Sequence, residues 1–559
     1  MKRCPQCSRE YTDESLNFCL DDGSPLLLAS PADEPVTDLY PVLPSEAPTL
    51  SSDKRSQHGS ANRSTNGRRS SPSHYRPPIA AIVGVVSLIA LTAVGFWFLR
   101  QPPRQINSIA VLPFANETGT ADAEYLSDGI ADTLINGLSK IPGLNVKARA
   151  TVFRYKGRTL EPSAVGRELS VNAVLNGRVV QRGDDLSIYL SLVDTTTGDQ
   201  IWGEGYESKL TDLASLQKEI TRDVSQKIQV RLTGADVQRV TKDYTNDPEA
   251  FQYYLRGRHL LLKTSKPDVE ASIQYFQQAI DRDPAYALAY VGLADAYRAP
   301  VSERVPSEAL AKSKAAVQKA LDIDDSLSEA HAILGLIIFW YEWNWQAAEV
   351  ELKRAIELDP RNPDAHIFYA HLLSNTGRHD EALAEARLAR ELDPLNPRTC
   401  SLEGQFLIHA GRVDEGLARL DAVNEIDPNN WLSHLFAASG YIEKGMFDRA
   451  VAEGERTVEI NPHSRSLSFL SYALAKAGRT REASEELNEI LAASGDRWVS
   501  PYSVALANNG LGERDEAIRW LEKGLSDRDP RMVFLKVEPK WNNLRSDERF
   551  QKVLSAVGF

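Results

Sequence analysis

The sequence predicts a multidomain chain: a small cysteine knuckle, one transmembrane helix, an α/β domain and then an all-α solenoid. Three observations carry that reading. Pro360, Pro394, Pro428 and Pro462 recur every 34 residues. The 21 residues from Ile79 to Leu99 hold no charge. Three of the four cysteines lie within the first 19 residues, at paired spacing. A chain of 559 residues has room for several domains. With 42% hydrophobic and 25% charged residues, most of it has the composition of folded protein.

The knuckle, residues 1–28, carries Cys4 and Cys7 two residues apart, then Cys19 with Asp22 where a fourth cysteine would stand. Zinc takes four ligands in a tetrahedron and accepts carboxylate oxygen beside thiolate, so Cys4, Cys7, Cys19 and Asp22 form a candidate zinc site. Asp21 is an alternative fourth ligand, and three free thiols in a disordered tail are the plainer reading. A segment this short has no other core, which favours the metal. CPQC and NFCLDDG resemble the short zinc ribbons of pattern CPxC…FCxxDG that head many bacterial membrane proteins and some receptor-type kinases. That resemblance implies Asp22 as the ligand.

Residues 29–78 are rich in Ser, Pro, Asn and Arg and cannot bury enough surface to offset ordering, so a disordered basic linker is expected. Residues 79–99 follow, about 31 Å as a helix and long enough for a bilayer core. From Lys54 to Pro78 there are six basic residues and no acid, while Arg100 and Arg104 alone lie close on the other side. The positive-inside rule then puts the amino terminus in the cytoplasm and residues 105–559 outside; the resemblance to ribbon-headed bacterial membrane proteins implies the inner membrane, with those residues in the periplasm. The basic stretch is placed to meet anionic lipid.

Residues 105–233 read as an α/β domain. NSIAVLPFAN is a strand, and Leu126, Ile130, Leu134, Leu138 and Ile141 mark a helix stopped by Pro142 and Gly143. NVKAR is a second strand and AVGRELSV a short helix. Leu186, Ile188, Leu190 and Leu192 alternate with polar residues, as in antiparallel strands. A helix through Leu213, Leu216, Ile220, Val224 and Ile228 closes the unit. Asp122, Glu124, Asp128 and Asp132 read as carboxylates complementing a helix amino terminus rather than as a cation site. Trp202 reads as sheet core. IAVLPFAN, the EYLSDGIADTLINGLSKIPGLNV helix and VDTTTGDQIWGEGYE resemble the periplasmic domain related to the amino-terminal domain of TolB. That resemblance implies association or sensing, not catalysis.

Residues 247–530 hold the repeats. AIELDP, ARELDP, VNEIDP and TVEINP alternate with TGRHDEA, AGRVDEG, KGMFDRA, AGRTREA and LGERDEA. The period and these marks are those of the tetratricopeptide repeat (TPR), a helix–turn–helix unit, in about eight copies. Gly377, Gly411, Gly445, Gly478 and Gly512 end first helices in a left-handed residue. Ala382, Ala450, Ala483 and Ala517 allow close packing where second helices begin. Residues 531–559 read as a C-terminal capping helix. His366, Cys400 and His434 share one repeat position; equivalent points roughly 8–10 Å apart cannot converge on one ion, so they are packing residues. Cys400 has no evident base beside it.

The resemblance to TPR arrays implies peptide or protein partners on a concave face, with Tyr369, Tyr441 and Asn508 as candidate contacts. Residues 105–559 hold 53 basic against 67 acidic residues, so nucleic acid is not an expected partner. No Gly-rich phosphate loop followed by Lys and no HRD–DFG pair occurs, so no catalytic residue is assigned. The expected function is a membrane-anchored, non-catalytic interaction scaffold or sensor. A second expectation is a transmembrane regulator similar in order to the CadC class, acting through the ribbon. A third is a non-catalytic relative of receptor kinases or cyclases.

Overall fold

The computed structural model describes residues 106–120, 123–158, 161–228, 245–263, 265–299, 306–493 and 498–559, together with three short strands near the amino terminus. The contacts divide the chain into two units, Met1–Gln101 and Pro102–Phe559. In the first, β1 (Lys2–Arg3) pairs antiparallel with β2 (Glu10–Tyr11) on one side and β3 (Leu27–Leu28) on the other. Cys4, Cys7, Cys19, Asp22, the linker and the apolar stretch 79–99 lie outside the described residues. No helix among the described residues is long and apolar enough to cross a membrane.

The second unit opens with β4 (Ser108–Val111), wholly buried, then β5 (Ala115–Asn116) and helix α1 (Glu124–Ser139). After β6 (Asn145–Val146), one helical turn at Arg149–Val152 and α2 (Pro162–Leu169) lead to three ten-residue strands. These are β7 (Ala173–Arg182), β8 (Asp185–Asp194) and β9 (Gln200–Lys209). The main sheet order is β6-β4-β7-β8-β9, with β5 also on β7. Its β4 and β6 run parallel, and the β7–β8–β9 meander is antiparallel. Leu186, Ile188, Leu190 and Leu192 all point into the core, as the period-two pattern requires. Trp202 is buried on β9 opposite Leu192. Helix α3 (Leu213–Lys227) buries Leu213, Leu216, Ile220 and Val224.

Eight helix pairs follow: α4 (Pro248–Leu261) with α5 (Lys266–Arg282), and α6 (Ala287–Arg298) with α7 (Pro306–Ile323). Next are α8 (Ser328–Ile337) with α9 (Trp345–Leu358), and α10 (Pro363–Thr376) with α11 (His379–Leu392). Then α12 (Pro397–His409) pairs with α13 (Val413–Ile426), and α14 (Trp431–Glu443) with α15 (Phe447–Ile460). Last come α16 (Ser464–Lys476) with α17 (Thr480–Ala492), and α18 (Pro501–Leu511) with α19 (Arg514–Ser526).

Local sequence fixes each unit. Asn362 and Asn396 cap first helices by accepting two backbone N–H bonds each, ahead of a proline at the first helical position. The five turn glycines all take positive φ, from 69° at Gly445 to 89° at Gly377. Ala382, Ala450, Ala483 and Ala517 are fully buried. In the third repeat a π turn at Ile338–Glu342 absorbs an extra residue, which is why His331 precedes His366 by 35 positions rather than 34.

First helices of neighbouring repeats touch one another through most of the array, whereas second helices spread apart, so the first helices form the inside of the curve. The chain after α19 differs from a simple cap. Two short 3-10 segments, Pro530–Phe534 and Pro539–Leu544, precede helix α20 (Glu548–Val557), and both the first of them and α20 pack on α19. Pro530 and Pro539 explain why this stretch is not one helix.

Candidate interaction groove

The inner face is built from apolar and aromatic side chains of the first helices, and the chain's own carboxyl-terminal segment lies in it. Phe534, 4% exposed, meets Trp340, His371, His409 and Tyr502 with ring centroids 5.7, 5.7, 6.4 and 6.5 Å away. Those partners come from four different repeats. Trp541 is fully buried, and its indole N–H donates to the Tyr502 hydroxyl at 2.9 Å. Asn509 Nδ2 donates to the Lys540 carbonyl at 2.7 Å. At the far end, Phe559 stacks on Trp345 at 4.7 Å, and Trp345 Nε1 donates to the Gly558 carbonyl at 3.0 Å. The segment therefore reaches back from the eighth repeat to the third.

A buried charge pair sits inside this contact. Lys540 Nζ lies 2.7 Å from Glu538 Oε1 and also donates to Ser439 Oγ. Its ammonium stands 4.6 Å over the Phe469 ring. Burial would raise the Glu538 carboxyl, but Lys540 and His409 outweigh it and hold it well below the usual range. Replacing such a pair with apolar residues can be neutral, whereas removing one member leaves a stranded charge.

A second internal surface joins the α/β domain to the repeats. Asp132 on α1 pairs with Arg258 on α4 at 3.0 Å and with Arg149 at 3.3 Å. Asp128 meets His259 at 3.0 Å and Lys156 at 2.7 Å. Among the described acids Glu124 alone lies in the first turn of α1, so the dipole reading fits there and not Asp128 or Asp132, while Asp122 lies outside the described residues. Those two sit one and two turns on, facing the first repeat. A Cβ at Gly129 would stand 3.0 Å from Leu255, so glycine permits this close approach. Farther along, Thr151 Oγ1 donates to Asp393 Oδ1 at 2.7 Å, and Arg154 donates to the Ile426 carbonyl at 3.2 Å. Burial raises the Asp393 carboxyl despite the Thr151 bond.

The three candidate partner contacts, all on first helices, have different surroundings. Tyr369 is buried and donates to Glu349 Oε1 at 2.8 Å. It lines a cleft of about 450 Å³ with Lys353, Arg378 and Glu385, between second helices α9 and α11 on the outer side. Bonds from Lys353, Arg378 and Tyr369 overcome the effect of burial and bring Glu349 down to about 2. Tyr441 is half-buried, 5.6 Å below the Arg449 guanidinium. Asn508 is buried and bonded to the Val504 carbonyl of its own helix at 2.8 Å.

The shared repeat position is a tie within the repeat. His366 Nδ1 lies 2.6 Å from Glu385 and its Nε2 lies 2.9 Å from the Pro360 carbonyl. His434 repeats this with Glu453 and Pro428 at 2.6 and 3.1 Å, and His331 with Glu351 and Asp325 at 2.6 and 2.9 Å. Cys400, in the same place, directs its thiol at the Pro394 carbonyl, and burial pushes that thiol up to about 11. The sequence singled out this position without showing the bond, because its partner glutamate lies 19 or 20 residues on, in the second helix.

Residues 342–398 match the family model of the tetratricopeptide repeat. Residues 105–223 match a different model from the TolB resemblance: the second domain of HilA/YgeH-like transcriptional regulators. Among curated proteins, the chain is 32% identical over 246 residues to a putative adenylate cyclase 3 of Rhizobium meliloti, covering 43% of this chain and 42% of that one. It is 20% identical over 287 residues to the transcriptional regulator HilA of Salmonella typhimurium, covering 50% of each. The chain thus spans half or less of the length of these curated relatives. Solved structures that resemble it include the TPR protein YrrB, at 23% identity and a TM-score of 0.25, covering 34% of this chain and 95% of that one. Yeast Tom70 resembles it at 14% identity and a TM-score of 0.37, covering 62% and 82%. The carboxyl-terminal part of the chain is a tetratricopeptide solenoid of the kind that serves protein interaction, carried with a small α/β domain.

Proposed function

We propose that this chain is a membrane-anchored, non-catalytic scaffold or sensor that engages protein segments through its repeat array and its α/β domain. The carrying observation is the inner face itself: the first helices already hold a segment of short 3-10 turns, residues 530–545, by aromatic insertion and backbone bonds. A surface that binds one such segment in cis has the chemistry to bind another in trans. A photo-crosslinking residue at exposed Asp364, on the first helix α10, should join the full-length chain to partner proteins. The same residue at Arg481, on the second helix α17, should not. Equal crosslinking from both positions contradicts the reading.

Membrane anchoring rests on the uncharged 79–99 stretch and the basic residues before it. In intact cells a membrane-impermeant maleimide should label a Thr196→Cys chain above the parent level and leave Ser60→Cys at that level. The reverse pattern would place the repeats in the cytoplasm. The cytoplasmic ribbon takes zinc through Cys4, Cys7, Cys19 and Asp22. Three strands paired around these positions favour a compact knuckle over a loose tail. One zinc per chain is expected, lost in Cys19→Ser.

A second reading is a transmembrane regulator, favoured by the match of residues 105–223 to a domain of HilA/YgeH-like transcriptional regulators. It requires the zinc-loaded amino-terminal part to bind DNA.

A further inference from the structure

The cleft beside Tyr369 is built unlike the next one along the outer surface. Thirty-four residues on from Ile356, Tyr369 and Glu385 stand Arg390, Glu403 and Arg419. There Arg390 of α11 and Arg419 of α13 both reach Glu403, at 2.8 and 3.1 Å, and bridge the two second helices over α12. Between α9 and α11 the same places hold an aliphatic side chain, a phenol and a carboxylate, a set that cannot make that bridge. The bonds at this pair of helices, from Tyr369 at 2.8 Å and Arg378 at 2.9 Å, converge on Glu349 near the amino ends. Alongside them the cleft of about 450 Å³ stays open, floored by the fully buried Leu373. That is the size of pockets that take a small ligand or a partner's side chains.

Its walls combine apolar surface with an excess of negative charge. Ile356 is half-buried and Ala384 exposed. Leu388, one turn past Ala384 on α11, is 43% exposed. Val350, one turn before Lys353 on α9, is 66% exposed, the highest value among the described large hydrophobic residues. Single exposed apolar residues are ordinary on a protein surface, but these two flank one cleft. Glu357, Glu381 and Glu385 line it together with Lys353 and Arg378, and Glu349 lies at its end. Both cations are already engaged, Lys353 with Glu349 and Arg378 with Glu349 and Glu381. Glu357 and Glu385 each bond through Oε2, to Arg354 and His366, and the Oε1 of each has no partner among the described residues.

We propose that the cleft between α9 and α11 docks a basic amphipathic helix of a partner protein. The apolar stripe of that helix packs on Ile356, Ala384 and Leu388, and lysine or arginine beside the stripe meets Glu357 and Glu385 from opposite walls. Shape points to a helix: a groove between two neighbouring helices accepts a third whose apolar residues recur every three or four positions. Charge points to a basic one. Four carboxylates at the cleft face two cations, and residues 105–559 hold 67 acidic against 53 basic residues, so an acidic segment would be repelled. The proposal goes beyond the scaffold reading, which concerns the inner face, by adding a second surface on the outer one.

The test is fluorescence anisotropy with the full-length chain and a labelled, capped sixteen-residue Ala/Gln helix. It carries leucines at positions 5, 9 and 12 and lysines at positions 8 and 13, on either side of the leucine stripe. The peptide should bind. Affinity should fall at least tenfold for Ala384→Trp, which fills the cleft from an exposed position, and for Glu357→Gln/Glu385→Gln. The same loss is expected for a peptide with its leucines replaced by glutamine. Glu522→Gln, at an exposed position of α19, should leave affinity unchanged. Circular dichroism melts show that each variant is folded, and Glu357→Gln alone, which keeps the His366 tie, serves if the double variant is not. No binding to the parent chain, equal binding to the folded variants, or tighter binding of a peptide with glutamates in place of lysines would each overturn the proposal. A parent chain that sediments as a dimer while Ala384→Trp sediments as a monomer would give the cleft to a second copy and overturn it too. The scaffold reading would survive any of these outcomes, since it stands on the Asp364 crosslinks.

Discussion

The inner and outer faces of the solenoid come from the same helices but are held together differently. Outside, charge pairs are local and repeat with the sequence: Arg378–Glu381, Arg412–Glu415 and Arg479–Glu482 are the same i,i+3 pair in three units. Inside, contacts such as Lys540 to Ser439 and Phe534 to Trp340 join residues far apart in the chain. The repeating residues thus build the frame, and the non-repeating ones decide what the frame encloses. Stability should be concentrated inside.

The largest effect is expected at Trp541. Trp541→Ala empties a fully enclosed site and should cost about 4 kcal/mol of unfolding free energy by urea titration. A loss under about 1 kcal/mol would mean the segment does not hold the inner face together. Next comes Lys540→Met, which strands the Glu538 carboxylate and should cost about 3 kcal/mol. Adding Glu538→Gln should recover part of that loss, which distinguishes a stranded charge from lost packing.

A smaller effect is set by pH. The Glu453 bond raises His434, and in His366 the Glu385 and Pro360 bonds outweigh the lowering effect of burial. The folded pKa of each histidine lies above its unfolded value near 6.5. Their stabilisation is therefore complete below that value and is lost as pH rises through the raised pKa. Melting midpoints should fall over that window, and His366→Gln/His434→Gln should flatten the slope there; an unchanged slope would remove the tie from the account. Smallest of all, Arg479→Ala on the outer face should leave the melting midpoint unchanged, since exposed ion pairs contribute little. A clear drop there would erase the contrast between the faces.

The same contrast explains what could be read from sequence. The frame was legible because its determinants are local: an asparagine cap before proline, a glycine at positive φ, an alanine where two helices close. The alternation in β8 and the spacing in α1 were legible for the same reason. The groove's contents were not. Tyr369 carries a residue type suited to partner contact, yet its side chain runs outward to Glu349. Asp128 and Asp132 read as companions of the α1 terminus because Arg258 and His259 lie more than 120 positions away. The PRMVFLKVEPKW stretch reads as a cap because no periodic pattern ties Phe534 to four repeats. Paired prolines with apolar residues between them, just beyond the last repeat, were the only hint that the stretch is not a single helix.

Hydrogen–deuterium exchange on the full-length chain tests the occupied groove most directly. Backbone amides of residues 530–545 should exchange as slowly as those of the first helices α12, α14 and α16. Exchange of that segment within seconds, while those helices stay protected, would show an empty inner face and contradict the account.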